Sequence, residues 1–256
     1  MGVLTEIVAA KRLEIERLRA SECEPSPSSL PRPHRLARAA GEPLRLIAEI
    51  KHRSPSAGPL STTLSPTARA LAYEAAGASA ISVLTDAAFF AGSFAHLREV
   101  TAAARVPVLC KDFVLDPIQL AHAASAGASL VLLIVRILDG GALEELVAAS
   151  LAHGLTPLVE VHGHDELDRA IAAGAQLVGV NARDLDTLVI DRPRAAEVLA
   201  AIPRGVVAVH LSGLATPADV TAVPSRADAA LLGEALMRRD DPTDLLASLV
   251  AAARAR

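Results

Sequence analysis

The chain has 256 residues, 52% of them hydrophobic but only 2% aromatic, and a formal net charge of −4 at pH 7. Because it has no basic stripe and few aromatic residues on which bases could stack, nucleic acid is not expected as its main partner. The longest apolar run, residues 130–135, is far too short to cross a bilayer, so no membrane partner is expected either.

The first 44 residues form an N-terminal helical extension rather than a domain. Leu4, Ile7 and Ile15 recur at helical spacing among charged residues, which predicts an amphipathic helix over residues 4–20. Residues 21–33, rich in proline and serine, predict a loop, and residues 34–40 a second short helix. Packing on a barrel end, capping a cleft and dimerisation all remain open as roles for the extension.

Residues 45–256 repeat one unit: a helix, a small-residue turn and a short apolar strand. Ala-Gly-Ala occurs at 76–78, 126–128 and 173–175, where the glycine fits the end of a helix. Eight strands follow, near 45–50, 79–84, 106–110, 129–135, 155–161, 176–180, 205–211 and 228–232. Eight such units predict an α/β fold, a (β/α)8 TIM barrel forming one catalytic domain. A doubly wound open sheet is the alternative, but its Gly-rich first turn is absent.

Ionisable residues stand where several predicted strands end. Glu49 and Lys51 are two apart and so share one face of strand 1. By the same alternation, Lys51, Lys111, Glu160 and Leu211 from strands 1, 3, 5 and 7 form one layer at the barrel mouth, where barrel active sites lie. Taken singly, each charge also fits a surface salt bridge. Together they predict a general acid and base.

Two further motifs bear on ligands. Gly213 and Gly233 follow strands 7 and 8, where barrels often bind phosphate through backbone N–H groups. Glu160, His162 and His164 form an E-x-H-x-H string, but neighbouring lysines would oppose a cation, so no metal site is predicted. Two cysteines, Cys23 and Cys110, favour a reducing, cytoplasmic location, as do the charges that interrupt the apolar N-terminal residues, unlike a signal peptide.

Six segments identify a family. They are IAEIKHRSPSAG (47–58), SVLTDAAFFAGSFAHL (82–97), PVLCKDFVLDPIQLAHAASAGASLVLLIV (107–135), PLVEVH (157–162), LVGVNARDLDTLVID (177–191) and LLGEALMR (231–238). The chain resembles indole-3-glycerol-phosphate synthase, the barrel enzyme of tryptophan biosynthesis. The resemblance implies ring closure, decarboxylation and dehydration of 1-(2-carboxyphenylamino)-1-deoxyribulose 5-phosphate.

The same resemblance implies roles for individual residues. Lys111 would be the general acid, Glu160 the general base and Lys51 the partner of the substrate carboxylate, with Glu49 and Asn181 orienting them. The other implied substrate contacts are Ser54, Ser56, Phe90, Phe113, Arg183, Leu211 and Ser212, and the implied phosphate contacts are Ser54, Gly213, Gly233 and Glu234. The partner would be a phosphorylated small molecule, no cofactor would be needed, and the chain would be a monomer or homodimer.

Two residues depart from the family pattern. Leu211 replaces a glutamate of the active site, and Glu234 stands where serine is usual beside the phosphate, which its charge would repel. These departures leave two alternatives: a paralogue with impaired or shifted substrate preference in a specialised indole or anthranilate pathway, and a non-catalytic barrel that serves as a binding subunit. The related isomerase of phosphoribosylanthranilate is disfavoured, because Cys110 lies inside strand 3 and is expected to face away from the mouth.

Overall fold

Eight parallel strands close into a barrel in the computed structural model, which describes residues 2–20 and 36–256. Each strand pairs with the next along the chain, and the last pairs with the first. The TIM-barrel prediction is therefore confirmed, and the predicted strand bounds differ by at most two residues from those observed. The strands are β1 (Arg45–Ile50), β2 (Ala80–Leu84), β3 (Val108–Lys111), β4 (Leu130–Ile134), β5 (Thr156–Val161), β6 (Leu177–Asn181), β7 (Val207–Leu211) and β8 (Ala229–Leu232).

Helices separate the strands and cover the barrel. Ser65, Asp116 and Thr216 begin three of them by accepting a hydrogen bond from a backbone N–H of the first turn, each followed by proline, a residue suited to that turn. The helices are α1 (Val3–Ala20), α2 (Pro66–Ala75), α3 (Ala87–Phe90), α4 (Phe94–Ala103), α5 (Pro117–Ser125), α6 (Gly140–Ala152), α7 (His164–Ala172), α8 (Arg192–Ala201), α9 (Pro217–Ala222), α10 (Glu234–Met237) and α11 (Thr243–Arg254).

Two short elements were not predicted. After β1, Arg53–Ser54 pairs antiparallel with Gly58–Pro59 in a small hairpin. After β4, residues Val135–Ile137 form one turn of 3-10 helix. Both lie where a strand leaves the barrel mouth, so they shape the rim of the cleft rather than the barrel itself.

The Ala-Gly-Ala motif acts as a helix end, as predicted. Gly77, Gly127 and Gly174 all have positive φ angles, of 98°, 82° and 82°. A residue with a Cβ atom is strained in this left-handed conformation, whereas glycine adopts it readily. The motif therefore turns each chain segment from its helix into the next strand at a fixed point.

Side chains alternate between two layers along every strand. Residues such as Ala48, Ile50 and Cys110 face outward and pack against the helices. Ile47, Leu109, Leu132, Leu158 and Leu211 belong to a second apolar cluster, which fills the barrel interior. Toward the carboxyl ends of β1, β5 and β6, the buried polar residues Glu49, Glu160 and Asn181 follow these apolar side chains, so the ionisable groups lie above an apolar floor.

The predicted N-terminal helix is confirmed as α1, whose residues Leu4 and Ile7 join the interior cluster. The predicted loop at 21–33 lies outside the described residues. The predicted helix at 34–40 is wrong over its described part, since residues 36–39 have no regular structure and residue 40 lies in a turn. There Leu36 is buried and Arg38 donates to the carbonyls of Ser225 and Ala227, contacts with the barrel that replace helical hydrogen bonds.

No helix in the described ranges has the length and apolar character needed to span a membrane. Within residues 2–20 and 36–256, no three His, Cys, Asp or Glu side chains are grouped in a way that would hold a metal ion.

Candidate active site

One cavity of about 370 Å³ opens at the carboxyl ends of the strands. All fifteen residues proposed from the sequence for catalysis, substrate or phosphate lie along its wall: Glu49, Lys51, Ser54, Ser56, Phe90, Lys111, Phe113, Glu160, Asn181, Arg183, Leu211, Ser212, Gly213, Gly233 and Glu234. The barrel thus brings together residues that are up to 185 positions apart in the chain, from 49 to 234, some proposed from strand ends and others from the family resemblance.

Glu49 lies between two lysines on one side of the cavity. Lys51 Nζ is 2.6 Å from Glu49 Oε1, and Lys111 Nζ is 3.9 Å from Glu49 Oε2. Burial, the largest single effect, acts to raise the pKa of Glu49, but the two ammonium groups outweigh it and the pKa is lowered. Glu49 is therefore ionised at neutral pH and holds both lysines at the cavity wall.

Glu160 lies on another part of the wall with only one of its oxygens engaged. Asn181 Nδ2 donates to Glu160 Oε1 at 2.9 Å, while Oε2 is buried and has no hydrogen-bond partner among the described residues. The N–H of Arg183 donates to Asn181 Oδ1 at 3.0 Å and so fixes the amide orientation. Burial raises the pKa of Glu160 above its ordinary value of 4.5, and the charge of Lys111 opposes this only in part. A carboxylate with a raised pKa and a free oxygen is suited to accept a proton.

Contacts behind the strands fix these charged residues. Tyr73 of α2 is fully buried, and its hydroxyl donates to the carbonyl of Glu49 at 3.2 Å. On the other side, a Cβ atom at position 233 would overlap Glu49 Oε1 and lie 3.0 Å from Lys51 Nζ. A larger residue at 233 would displace the Glu49–Lys51 pair from its present position, so this glycine has a steric role besides its predicted place near phosphate.

The loops after β7 and β8 and the hairpin after β1 surround one end of the cavity. Ser212 and Gly213 both have positive φ angles, 66° and 80°. For serine this conformation costs of the order of 1 kcal/mol or more, and such strain is concentrated at functional sites. Ser54 is buried, and its hydroxyl accepts from the N–H of Ala57 at 3.1 Å.

The carboxylate of Glu234 is held by two arginines. Its Oε1 accepts from Arg238 at 2.8 and 3.1 Å, and its Oε2 lies 3.7 Å from Arg183 Nη2. The carboxylate therefore lies between two guanidinium groups beside the loop at Gly233.

Leu211 faces the cavity, as the alternation predicts, and is almost fully buried. Its side chain occupies the room above Gly179 of β6, where a Cβ atom would lie 2.6 Å from Leu211 Cδ1. Asn181 is its neighbour in the β6–β7 register. The leucine therefore extends the apolar floor of the barrel upward beside the Asn181–Glu160 pair.

Phe90 and Phe113 form an aromatic wall, with ring centroids 5.9 Å apart. Phe89 packs against the interior cluster and does not line the cavity. The wall is continued by Val3, Leu4 and Ile7 of α1, so the N-terminal helix covers part of the cavity.

Capping a cleft was one of the roles left open for the N-terminal extension, but the sequence reasoning missed the buried Lys11 that holds α1 in place. Lys11 is fully buried and contacts Asp86 and Asp112. A signal existed, because Leu4, Ile7, Lys11 and Ile15 fall on one helical face and all four are buried. A lysine on the apolar stripe of an amphipathic helix points to a charged partner below it.

Comparison with known proteins agrees with the geometry. A family model described as indole-3-glycerol phosphate synthase matches residues 4–249. Indole-3-glycerol phosphate synthase 1 of Streptomyces coelicolor is 42% identical over 98% of this chain and 96% of its own length. The protein named indole-3-glycerol phosphate synthase in Nocardioides sp. is 46% identical over 94% of this chain and 95% of its own.

The chain belongs to the indole-3-glycerol phosphate synthase family. Solved structures outside this family share its barrel. A 3-hexulose-6-phosphate synthase superposes with a TM-score of 0.63 at 21% identity, covering 82% of this chain and 99% of its own. A tryptophan synthase from M. tuberculosis gives 0.65 at 15% identity, covering 87% and 100%. At such identities the likeness concerns the fold alone, whereas the family rests on the full-length sequence match.

Proposed function

We propose that the chain catalyses its family's reaction, the conversion of 1-(2-carboxyphenylamino)-1-deoxyribulose 5-phosphate to indole-3-glycerol phosphate with loss of CO₂ and water. One observation carries the proposal. Two lysines and two buried carboxylates, Lys51, Lys111, Glu49 and Glu160, converge on one cavity. That arrangement supplies both proton donors and a proton acceptor in one partly enclosed cavity.

In the first step, an aryl carbon of the anthranilate ring attacks the ketone carbon at C2 of the sugar chain. The new carbon–carbon bond pushes the carbonyl electrons onto oxygen, and Lys111 donates the proton that neutralises it. Lys51, held by Glu49, pairs with the substrate carboxylate. Loss of CO₂ then returns the electron pair of the carboxyl bond to the ring and restores its aromaticity.

The last step removes water. Glu160 accepts a proton from the pyrroline ring through its unengaged oxygen Oε2, while a lysine protonates the departing hydroxyl. The raised pKa of Glu160 makes its carboxylate a stronger proton acceptor than an ordinary glutamate. Every step is a proton transfer or a rearrangement of bonds within the substrate, so the proposal includes neither a metal nor an organic cofactor.

The substrate phosphate would lie among Ser54, Gly213 and Gly233, with backbone N–H groups as donors. Arg183 is near enough to share the phosphate charge, because its guanidinium already contacts Glu234 at the same end of the cavity. The aromatic ring would lie against Phe90 and Phe113. We further propose a cytoplasmic enzyme, active as a monomer or a homodimer.

Turnover of the synthetic substrate by the purified protein tests the proposal. The expected result is one CO₂ released per indole-3-glycerol phosphate formed, both followed chromatographically. A folded protein that binds the substrate without releasing CO₂ would refute the catalytic function, and one that releases CO₂ without the indole product would refute the final dehydration step.

A further inference from the structure

A buried lysine joins the N-terminal helix to the catalytic loops. Lys11 Nζ lies 2.7 Å from Asp112 Oδ1, 2.9 Å from Asp86 Oδ2 and 2.8 Å from Glu14 Oε2. The side chain of Lys11 is fully buried, and those of Asp86 and Asp112 nearly so. An ammonium group has three N–H donors, so each is matched by one carboxylate.

The two aspartates belong to the loops that carry proposed site residues. Asp112 directly follows Lys111, and its oxygens also accept from Thr85 Oγ1 at 2.5 Å and from the N–H of Phe113 at 2.7 Å. Asp86 caps helix α3, which ends at Phe90, by accepting from the N–H of Phe89 at 2.7 Å. Lys11 therefore ties together the loop after β2, the loop after β3 and α1.

The chain's use of lysine supports a specific role. Of its 25 basic residues only three are lysines, namely Lys11, Lys51 and Lys111, and the other 22 are arginines. Two of these lysines line the cavity, and the third contacts the residue next to Lys111. A compact ammonium fits between three converging carboxylates, whereas a planar guanidinium presents its donors in one plane.

We propose that Lys11 is a positioning residue for the reaction: it holds α1 over the cavity and fixes the segment from Lys111 to Phe113 in its productive place. Without the ammonium, the buried carboxylates of Asp86 and Asp112 face each other unneutralised and must separate or take up protons. Either response shifts the backbone beside Lys111. The proposal rests on the proposed function, since it assigns the effect to that reaction.

The test compares Lys11→Met with Arg12→Met, a matched change on the exposed face of the same helix. Steady-state kinetics at 25 °C should show kcat lowered roughly ten- to a hundredfold in Lys11→Met, as small misplacements of catalytic groups do, and unchanged in Arg12→Met. Lys11→Gln, which keeps two donors, should show a smaller loss in the same direction, and it replaces Lys11→Met if that variant does not fold.

Lysine-selective ¹³C labelling supplies a second readout, because the chain has three lysine side chains to observe. We expect the ¹³C chemical shift of Lys111 Cε to change in the Lys11 variant and to remain unchanged in the Arg12 variant. A lower Tm with unchanged kcat and an unchanged Lys111 signal would overturn the proposal and leave Lys11 a purely stabilising role. If the wild-type protein has no turnover, the proposed function fails, whereas the Lys111 signal still decides whether Lys11 positions that residue.

Discussion

Replacing Glu160 by glutamine removes the negative charge of the side chain but keeps nearly the same shape. Glutamine keeps an oxygen that accepts from Asn181 Nδ2, as Glu160 Oε1 does at 2.9 Å, but it cannot accept a proton near neutral pH. Loss of a general base commonly costs about 10²- to 10⁴-fold in rate. We therefore expect kcat to fall by that factor while KM changes little.

The same substitution has a pH-dependent effect on stability, whose sign follows from the raised pKa. Burial raises the pKa of the folded-state carboxyl above 4.5, so ionising it costs folding free energy. Each unit of that rise corresponds to about 1.4 kcal/mol. Below pH 4.5 the carboxyl is protonated in both the folded and the unfolded chain, so this cost of ionisation is absent. Above the folded-state pKa the carboxyl is ionised in both, and the full cost lowers the stability of the folded chain. Glu160→Gln should thus be more stable than wild type at pH 8, with Tm higher by about 2–4 °C per kcal/mol, and the difference should vanish at acid pH.

Thermal unfolding and the pH dependence of kcat/KM measure both effects in one set of samples. In the wild type, kcat/KM should fall at acid pH with a midpoint above pH 4.5. This fall should be absent from the residual activity of Glu160→Gln. Glu144→Gln, on the exposed side of α6, serves as the control and should change neither property. A variant that keeps more than about a tenth of wild-type kcat, or a wild-type midpoint at or below pH 4.5, would remove Glu160 from the role of base.

Three other substitutions test separate parts of the site. Lys111→Ala should abolish ring closure yet leave substrate affinity, measured by calorimetry, nearly intact, because its proton matters most as charge builds on the ketone oxygen. Leu211→Glu should raise kcat/KM about tenfold or more by restoring an oriented carboxylate; a decrease would show that other groups have replaced the family glutamate. Glu234→Ser should lower KM several-fold, since it removes a negative charge beside the phosphate loops, and an unchanged KM would mean that Arg183 and Arg238 already neutralise it.

Much of the site was predictable because strand periodicity fixes direction. Once residues 45–50 were identified as a strand, alternation continued by one residue placed Lys51 on the same face as Glu49. The same rule placed Lys111, Glu160 and Leu211 at the mouth of a parallel barrel. These inferences need only a local pattern and a closed sheet, so they are insensitive to details of packing.

Contacts between segments far apart in the chain were not predictable in this way. The local sequence of residues 36–40 predicts a helix, but in the structure Arg38 of this segment donates instead to the carbonyls of Ser225 and Ala227. The contact of Lys11 with Asp112 joins residues 101 positions apart, and its sequence signal says only that some acid lies below the helix. That Glu234 contacts both Arg183 and Arg238 depends on side-chain geometry at the rim, which no periodicity encodes.

Because it has few aromatic residues, this protein has very weak intrinsic fluorescence. It contains no tryptophan and a single tyrosine, Tyr73, whose hydroxyl contacts the backbone of Glu49 behind the catalytic wall. Both the anthranilate group of the proposed substrate and the indole of its product fluoresce, so their emission would be seen against almost no protein background. Binding, ring closure and product release can then be followed in stopped-flow experiments without any introduced label, while the weak tyrosine signal reports on strand β1 itself.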